Sequence, residues 1–244
     1  MTTYVLVPGL WLGAWAWQDV TSHLREDGHA AYPVTLTGLA DRAHLTSPEL
    51  TLDTHIDDIV NLITYEDLRD VVLVGHSLGG AAVTGAADRV PDRIARVVYL
   101  ESGPVPDGVA PIDMAGREFV EARVRDGWRY PFPAWEELEA SGSSLAGLGP
   151  AERELMRSRA TDQPLGTITA PLRLTGAFGR LPKTLISSSF PLAQVKALIA
   201  DGHPLFAPLA GPEWELRELP TGHWPMLSRP ADTAALLAEL TPSP

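Results

Sequence analysis

Val71-Val72-Leu73-Val74-Gly75-His76-Ser77-Leu78-Gly79-Gly80 is the stretch from which the rest of the chain can be read. Its first half, VVLVG, is a short continuous apolar run, the composition of a strand buried on both faces of a parallel sheet. Small residues with helical character follow, from Gly79 to about Val90. Between the two stands G-x-S-x-G, in the strand–turn–helix setting that this motif requires. So tight a turn holds the serine at strained backbone angles and leaves no room for bulk at the flanking glycines. Ser77 then projects from the C-terminal edge of the sheet, beside a helix N-terminus whose dipole and free N–H groups favour an oxyanion. A serine in an idle glycine-rich turn lacks that setting.

Outward from this stretch, strands and helices alternate. Residues 3–7 (TYVLV) read as a strand, followed by a helix over about 17–27 and a second strand over 30–35 (AAYPVT). Pro33 suits an edge position or a strand end. Ile56, Ile59, Val60 and Ile63 recur at helical spacing within residues 53–63. After the motif, IARVVYL (94–100) is the next strand. Repeated strand–helix alternation predicts right-handed crossovers and a parallel sheet. The pattern lapses between 108 and 182. There Phe119, Trp128, Tyr130, Phe132 and Trp135 are scattered among Gly, Ser and Pro breaks, with helical patches at 115–124 and 151–159. Strands return at 183–187 and 214–219, and a last helix covers about 230–240. The expected architecture is an α/β core of residues 1–107 and 183–244, with about six mostly or wholly parallel strands, and a helical cap inserted at 108–182.

Composition bounds the chemistry. The chain has 244 residues, 45% hydrophobic and 20% charged, enough to bury a sizeable core in one large domain. Its 19 basic against 31 acidic residues give a net charge of -12, which repels nucleic acid and anionic membranes. Cysteine is absent, which excludes disulfides, thiolate metal sites and a cysteine nucleophile, and fits a cytoplasmic location. Residues 4–17 (YVLVPGLWLGAWAW) are all apolar, Gly or Pro, but show no basic leader and no A-x-A pattern. They are also too short to span a bilayer, and read as a strand running into an apolar loop.

A hydroxyl is a weak nucleophile at neutral pH, so Ser77 needs a base. Of seven histidines, His76 is expected to point away from the Ser77 face. His23, His29, His44 and His55 lie in polar stretches and read as surface residues, and His203 follows an Asp-Gly turn. His223, in Pro220-Thr221-Gly222-His223-Trp224, sits just past the run WELREL. A loop at the C-terminal end of a parallel strand is where open sheets place function, and a late histidine gives the order Ser before His.

With these residues the chain resembles the α/β-hydrolase superfamily. Within it, the nearest branch holds plant methyl-ester hydrolases of the methyl salicylate esterase type, hydroxynitrile lyases and bacterial esterases. The resemblance covers roughly residues 3–110 and 183–240. The branch's opening loop, HG-A-x-x-G-x-W-x-W, corresponds to Pro8-Gly9-Leu10-Trp11-Leu12-Gly13-Ala14-Trp15-Ala16-Trp17. Pro8 replaces the usual histidine, a departure expected to alter loop packing more than chemistry. The resemblance implies oxyanion donors at the backbone N–H groups of Leu10 and Leu78. In most members the triad acid follows the strand corresponding to 183–187. That place reads Ser187-Ser188-Ser189-Phe190-Pro191, with no carboxylate. Glu101, directly ending the preceding strand, is the favoured alternative, as in haloalkane dehalogenases and certain lactonases. A carboxylate there is costly unless paired, whereas Asp107 sits in a Pro-Asp-Gly turn and Asp201 lies beyond a helix.

The expected activity is hydrolysis of carboxylic esters of small to medium hydrophobic or aromatic groups, through an acyl-enzyme and a Ser77-His223-Glu101 triad. Trp11, Trp224, Trp128 and Phe132 are the candidate pocket residues, while Trp15 and Trp17 read as packing. Lactone hydrolysis remains open because of the glutamate position. Hydroxynitrile lyases carry a Thr after the first-loop His and a Lys after the catalytic His; Gly9 and Trp224 stand there, which argues for hydrolysis. Haloalkane dehalogenation needs a carboxylate where Ser77 stands. A non-catalytic ligand-binding member of the fold would keep the same triad. No metal cluster or phosphate loop is visible, so no cofactor is expected. The partners implied are a small ester or lactone and, at most, a second copy of the chain, as monomer or homodimer.

Overall fold

The computed structural model describes residues 1–240. Its strands are β1 (Thr3–Val7), β2 (Ala30–Pro33), β3 (Val71–His76), β4 (Ile94–Leu100), β5 (Arg129–Tyr130), β6 (Gln163–Pro164), β7 (Lys183–Ser187) and β8 (Trp214–Glu218). Six of them form one sheet in the order β2-β1-β3-β4-β7-β8, and every neighbouring pair is parallel. β5 and β6 make a separate antiparallel pair. The helices are α1 (Gln18–Glu26), α2 (Leu52–Tyr65), α3 (Gly79–Arg89), α4 (Pro111–Ala115), α5 (Arg117–Glu121), α6 (Trp135–Ala140), α7 (Pro150–Arg159), α8 (Gly166–Thr169), α9 (Leu192–Ala200), α10 (Pro225–Ser228) and α11 (Pro230–Glu239).

The apolar runs are continuous because the sheet is covered on both faces. Tyr4, Leu6, Val72, Val74, Val98 and Leu100 alternate onto one face, where they meet Val20 and Leu24 of α1 and Leu237 of α11. Val5, Val7, Val71, Leu73, Val97 and Tyr99 alternate onto the other, against Ile56, Ile59 and Ile63 of α2 and Val83 and Ala86 of α3. β3 lies between β1 and β4 with all six residues buried, so the motif ends at the centre of the sheet. β2 is an edge strand, as Pro33 requires. It stops at Pro33 instead of 35, with one further ladder bond from Val34 N–H to the Leu6 carbonyl (2.9 Å).

Between β4 and β7 the chain makes the short elements β5, β6 and α4 to α8. The helix expected over 115–124 is present but shorter, as α5 (Arg117–Glu121), and Gly116, with φ of 83°, separates it from α4 before it. A left-handed residue breaks the helical ladder, and glycine adopts it at little cost. Ile112, Val120, Tyr130, Leu138 and Met156 from this stretch join the cluster that covers the α1 face of the sheet. No helix among the described residues is long and apolar enough to cross a membrane.

Candidate active site

Ser77 holds a left-handed backbone at φ 50° directly after β3. Such a conformation persists in a non-glycine residue only where the surroundings over-determine it. Its N–H donates to the Leu100 carbonyl (3.1 Å), and its own carbonyl accepts from Gly80 N–H (3.0 Å) and Ser102 Oγ (2.5 Å). A Cβ at Gly79 would run into the Pro8 carbonyl oxygen, and one at Gly80 into the Ser102 hydroxyl. The glycines of the motif therefore let α3 close against both the first loop and the end of β4.

The loop after β8 brings His223 over Ser77, with Nε2 2.9 Å from Ser77 Oγ. On its other side, Nδ1 is 3.4 Å from Glu101 Oε2. A neutral imidazole with its proton on Nδ1 satisfies both contacts, donating to the carboxylate and accepting from the hydroxyl. Glu101, also left-handed at φ 49°, exposes only 7% of its side chain. The serines at the usual acid position explain how it is kept there. Ser188 N–H and Ser189 N–H (3.0 Å) donate to Glu101 Oε1, and Ser189 Oγ donates to Oε2 (2.5 Å). Burial pushes the Glu101 carboxyl up, but the bond and charge of His223 and the serine donors outweigh it, leaving the group below the ordinary carboxylate range. Asp107 and Asp201 lie elsewhere: Asp107 is exposed and accepts from Leu174 N–H (2.9 Å), and Asp201 caps the end of α9 in solvent. In sequence the Ser-Ser-Ser run reads as a missing acid; its use as a carboxylate cradle depends on Glu101, 87 residues away.

Contacts from distant chain segments hold the loops around these three residues. His223 N–H donates to the Ser144 carbonyl (2.8 Å), and Gly222 N–H to that of Ala146 (3.0 Å). The two loops interlock so closely that a Cβ on Gly222 would strike both carbonyl oxygens. The His223 carbonyl accepts from His76 Nε2 (2.7 Å). His76 thus does not point clear of the site: its ring centroid lies 5.1 Å from that of His223 and borders the same cavity. The tight turn at Ser77 lets consecutive residues face one pocket. Burial, and secondarily the neighbouring His223, lowers His76 to about 3, so it stays neutral with Nδ1 unprotonated and unpartnered. His55 is likewise no surface residue. It faces inward on α2, its Nε2 bonds the Thr37 carbonyl (3.0 Å), and burial lowers it to about 4.

In the first loop, Trp11 has φ of 66° and its N–H donates to Oε1 of buried Gln163 (3.1 Å). Its carbonyl accepts from Thr161 N–H (3.0 Å), and its indole N–H donates to the Tyr130 carbonyl (3.1 Å). Among the described residues, the N–H groups of Leu10 and Leu78 donate to no protein acceptor, and both residues border the cavity beside Ser77.

That cavity, of about 320 Å³, is lined by Ser77, His223, Trp11, Trp224, Phe119 and Tyr130 among others. Trp128 and Phe132 do not reach it. Phe132 stands behind Trp11, edge-on at 5.2 Å between ring centroids, and Trp128 lies under the Arg129 guanidinium at 4.5 Å. Strand pairing turns the neighbouring Tyr130 inward instead, a choice that scattered aromatics do not reveal. No group of three or more His, Asp or Glu among the described residues could hold a metal ion.

Comparisons with known proteins bear on the family and the fold. A family model described as alpha/beta hydrolase family matches residues 4–236. A carbendazim hydrolyzing esterase from a Nocardioides strain is 31% identical over 98% of this chain and 100% of that protein. Methylesterase 2 of Arabidopsis thaliana is 30% identical over 59% of this chain and 54% of that protein. Among solved structures, an extracellular alpha/beta-hydrolase from a Paenibacillus species superposes with a TM-score of 0.82 at 22% identity, covering 100% of both chains.

Proposed function

The chain belongs to the alpha/beta hydrolase family, and from that premise we propose that it is a serine esterase acting on esters of small to medium apolar or aromatic groups. The observation that carries this reading is the 2.9 Å contact of His223 Nε2 with Ser77 Oγ, continued through Nδ1 to a shielded Glu101. Relatives named as an esterase and a methylesterase support an ester as the substrate.

In this reading His223 takes the proton of Ser77 as Oγ attacks the ester carbonyl, and the N–H groups of Leu10 and Leu78 bind the oxyanion that forms. Collapse breaks the ester C–O bond, and the alcohol leaves with the proton held on His223. Water then attacks the acyl-enzyme, with His223 again as base, releasing the carboxylic acid and restoring Ser77. Glu101 fixes the imidazole tautomer and stabilises its cationic form. Residues 108–182 act as a cap, supplying Phe119, Tyr130 and Leu138 to the cavity wall.

Turnover of aryl acetates together with labelling by an organophosphonate tests the nucleophile. Ser77→Ala is expected to abolish labelling and to lower kcat by about 10⁴-fold or more. Labelling that persists in Ser77→Ala rejects the assignment.

A further inference from the structure

A second cavity, of about 260 Å³, lies on the far side of the β4 end from the first. Its walls are Leu185 and Ile186 of β7, Phe190, Val195 of α9, and Phe206 and Leu209 of the connection to β8. Phe190 and Phe206 stack there with ring centroids 6.1 Å apart. Four residues border both cavities: Glu101, Ser102, Gly103 and Met114. At Gly103, which borders both, the space beside the chain is open: an added Cβ would meet no atom within 4 Å. At the other end the chamber reaches solvent beside Leu205, an apolar side chain 52% exposed, while Met114 is 40% exposed.

We propose that this chamber is a second substrate subsite, entered past Gly103, which takes an uncharged aliphatic chain of the ester while the first cavity holds the carbonyl. The proposal rests on the esterase reading above and narrows its substrate class to elongated apolar esters. Three observations point to a chain as the occupant. Most of the walls are aliphatic or aromatic, with Glu101, Ser102 and Ser187 as the polar borders, so burial of methylenes is the main driving force available. At about 30 Å³ per water-sized group, the volume suits on the order of eight carbon atoms. The one ionisable group bordering it is the Glu101 carboxylate, which disfavours a chain ending in a carboxylate and favours a neutral one.

The test measures kcat/KM for 4-nitrophenyl acetate and octanoate, in which the acyl side varies, and for methyl and octyl acetate, in which the alcohol side varies. In wild type, the long-chain substrate of one series is expected to exceed its short partner. Gly103→Val, which closes the passage without a backbone conflict, should lower that long-to-short ratio by about tenfold or more, the discrimination given by one or two buried methylenes. Leu205→Asp, on the exposed rim where folding is not at risk, should lower it in the same direction. A ratio within about twofold of wild type in both variants, with unchanged circular dichroism, overturns the subsite. Calorimetry of methyl octanoate with Ser77→Ala judges the chamber independently of turnover. Saturable binding weakened by Gly103→Val supports it, and no binding overturns it. If wild type hydrolyses no ester yet binding is seen, the esterase reading fails and the chamber stands.

Discussion

The two halves of the candidate site are built in opposite ways. The Ser77 half is local: strand, turn and helix come from one run of residues, 71–89, and its glycines are small because neighbouring backbone and side chains press on them. The His223 and Trp11 half is assembled from afar. Trp11 is tied to Gln163, 152 residues away, and the His223 carbonyl to His76, 147 residues away. Residues 141–167 appear in both loops' anchors, through Ser144, Ala146, Thr161 and Gln163. A local element is set by its own backbone geometry, whereas a remotely anchored one is only as well placed as the packing that carries its anchors.

Variants separate the two halves, beginning with the largest expected effect after loss of Ser77. Glu101→Gln keeps the shape but donates where the serine N–H groups already donate, and it removes the charge that fixes the His223 tautomer. A fall in kcat of about 10³-fold is expected, with Asp107→Asn and Asp201→Asn near wild type; activity retained in Glu101→Gln would remove the glutamate from the triad. Gly222→Ala should be next. Its Cβ forces the His223 loop off Ser144 and Ala146, and a displacement of that kind costs on the order of 10²-fold in kcat with little change in KM. An unaltered kcat would mean that the interlock between the two loops is dispensable.

Gln163→Leu leaves the Trp11 N–H buried without an acceptor, beside the proposed oxyanion donor at Leu10. Stability should drop by about 1–3 kcal/mol, read as a lower urea midpoint, and kcat should fall more than KM rises. Loss of stability with full activity would uncouple the first loop from the reaction.

The smallest effect is in acid stability. His76 and His55 are held neutral, at about 3 and about 4, whereas an unfolded chain protonates histidine near 6.5. Below about pH 6.5 the unfolded state binds more protons, so their contribution to stability is complete above that pH and declines as pH falls towards 3. Glu101 adds its own loss only lower, below the ordinary carboxylate range. His55→Gln should therefore flatten the fall in urea midpoint between pH 7 and 4.5, and an unchanged slope would show that His55 is not buried neutral.

Much of the core was legible because it is written in short periods. The runs 3–7, 71–76 and 94–100 needed no partner to be read as buried strands, and Pro33 announced its edge. The helix expected at 115–124 starts later, at Arg117, because Gly116 breaks the ladder there, and its left-handed conformation depends on the turn it joins. Trp128 and Phe132 lie in an aromatic-rich stretch in which pairing of β5 with β6 decides which ring faces inward. Polarity in sequence says nothing of a neutral imidazole bonded to a buried carbonyl, which is how His55 is placed, and the motif alone does not tell that His76 borders the same cavity as Ser77.

By itself, then, the sequence determined the alternation of strand and helix, the turn at Ser77 and the short list that contained His223 and Glu101. The alternation and the turn follow from local sterics and periodicity, which act over a few residues; the short list also draws on what the family resemblance implies. Only the tertiary structure decided that Ser188 and Ser189 would cradle Glu101 instead of replacing it, that residues 141–167 would hold both remote loops, and that Gly103 would stand between two cavities. Those outcomes depend on which buried donors find acceptors across the folded chain, and no stretch of sequence contains both partners.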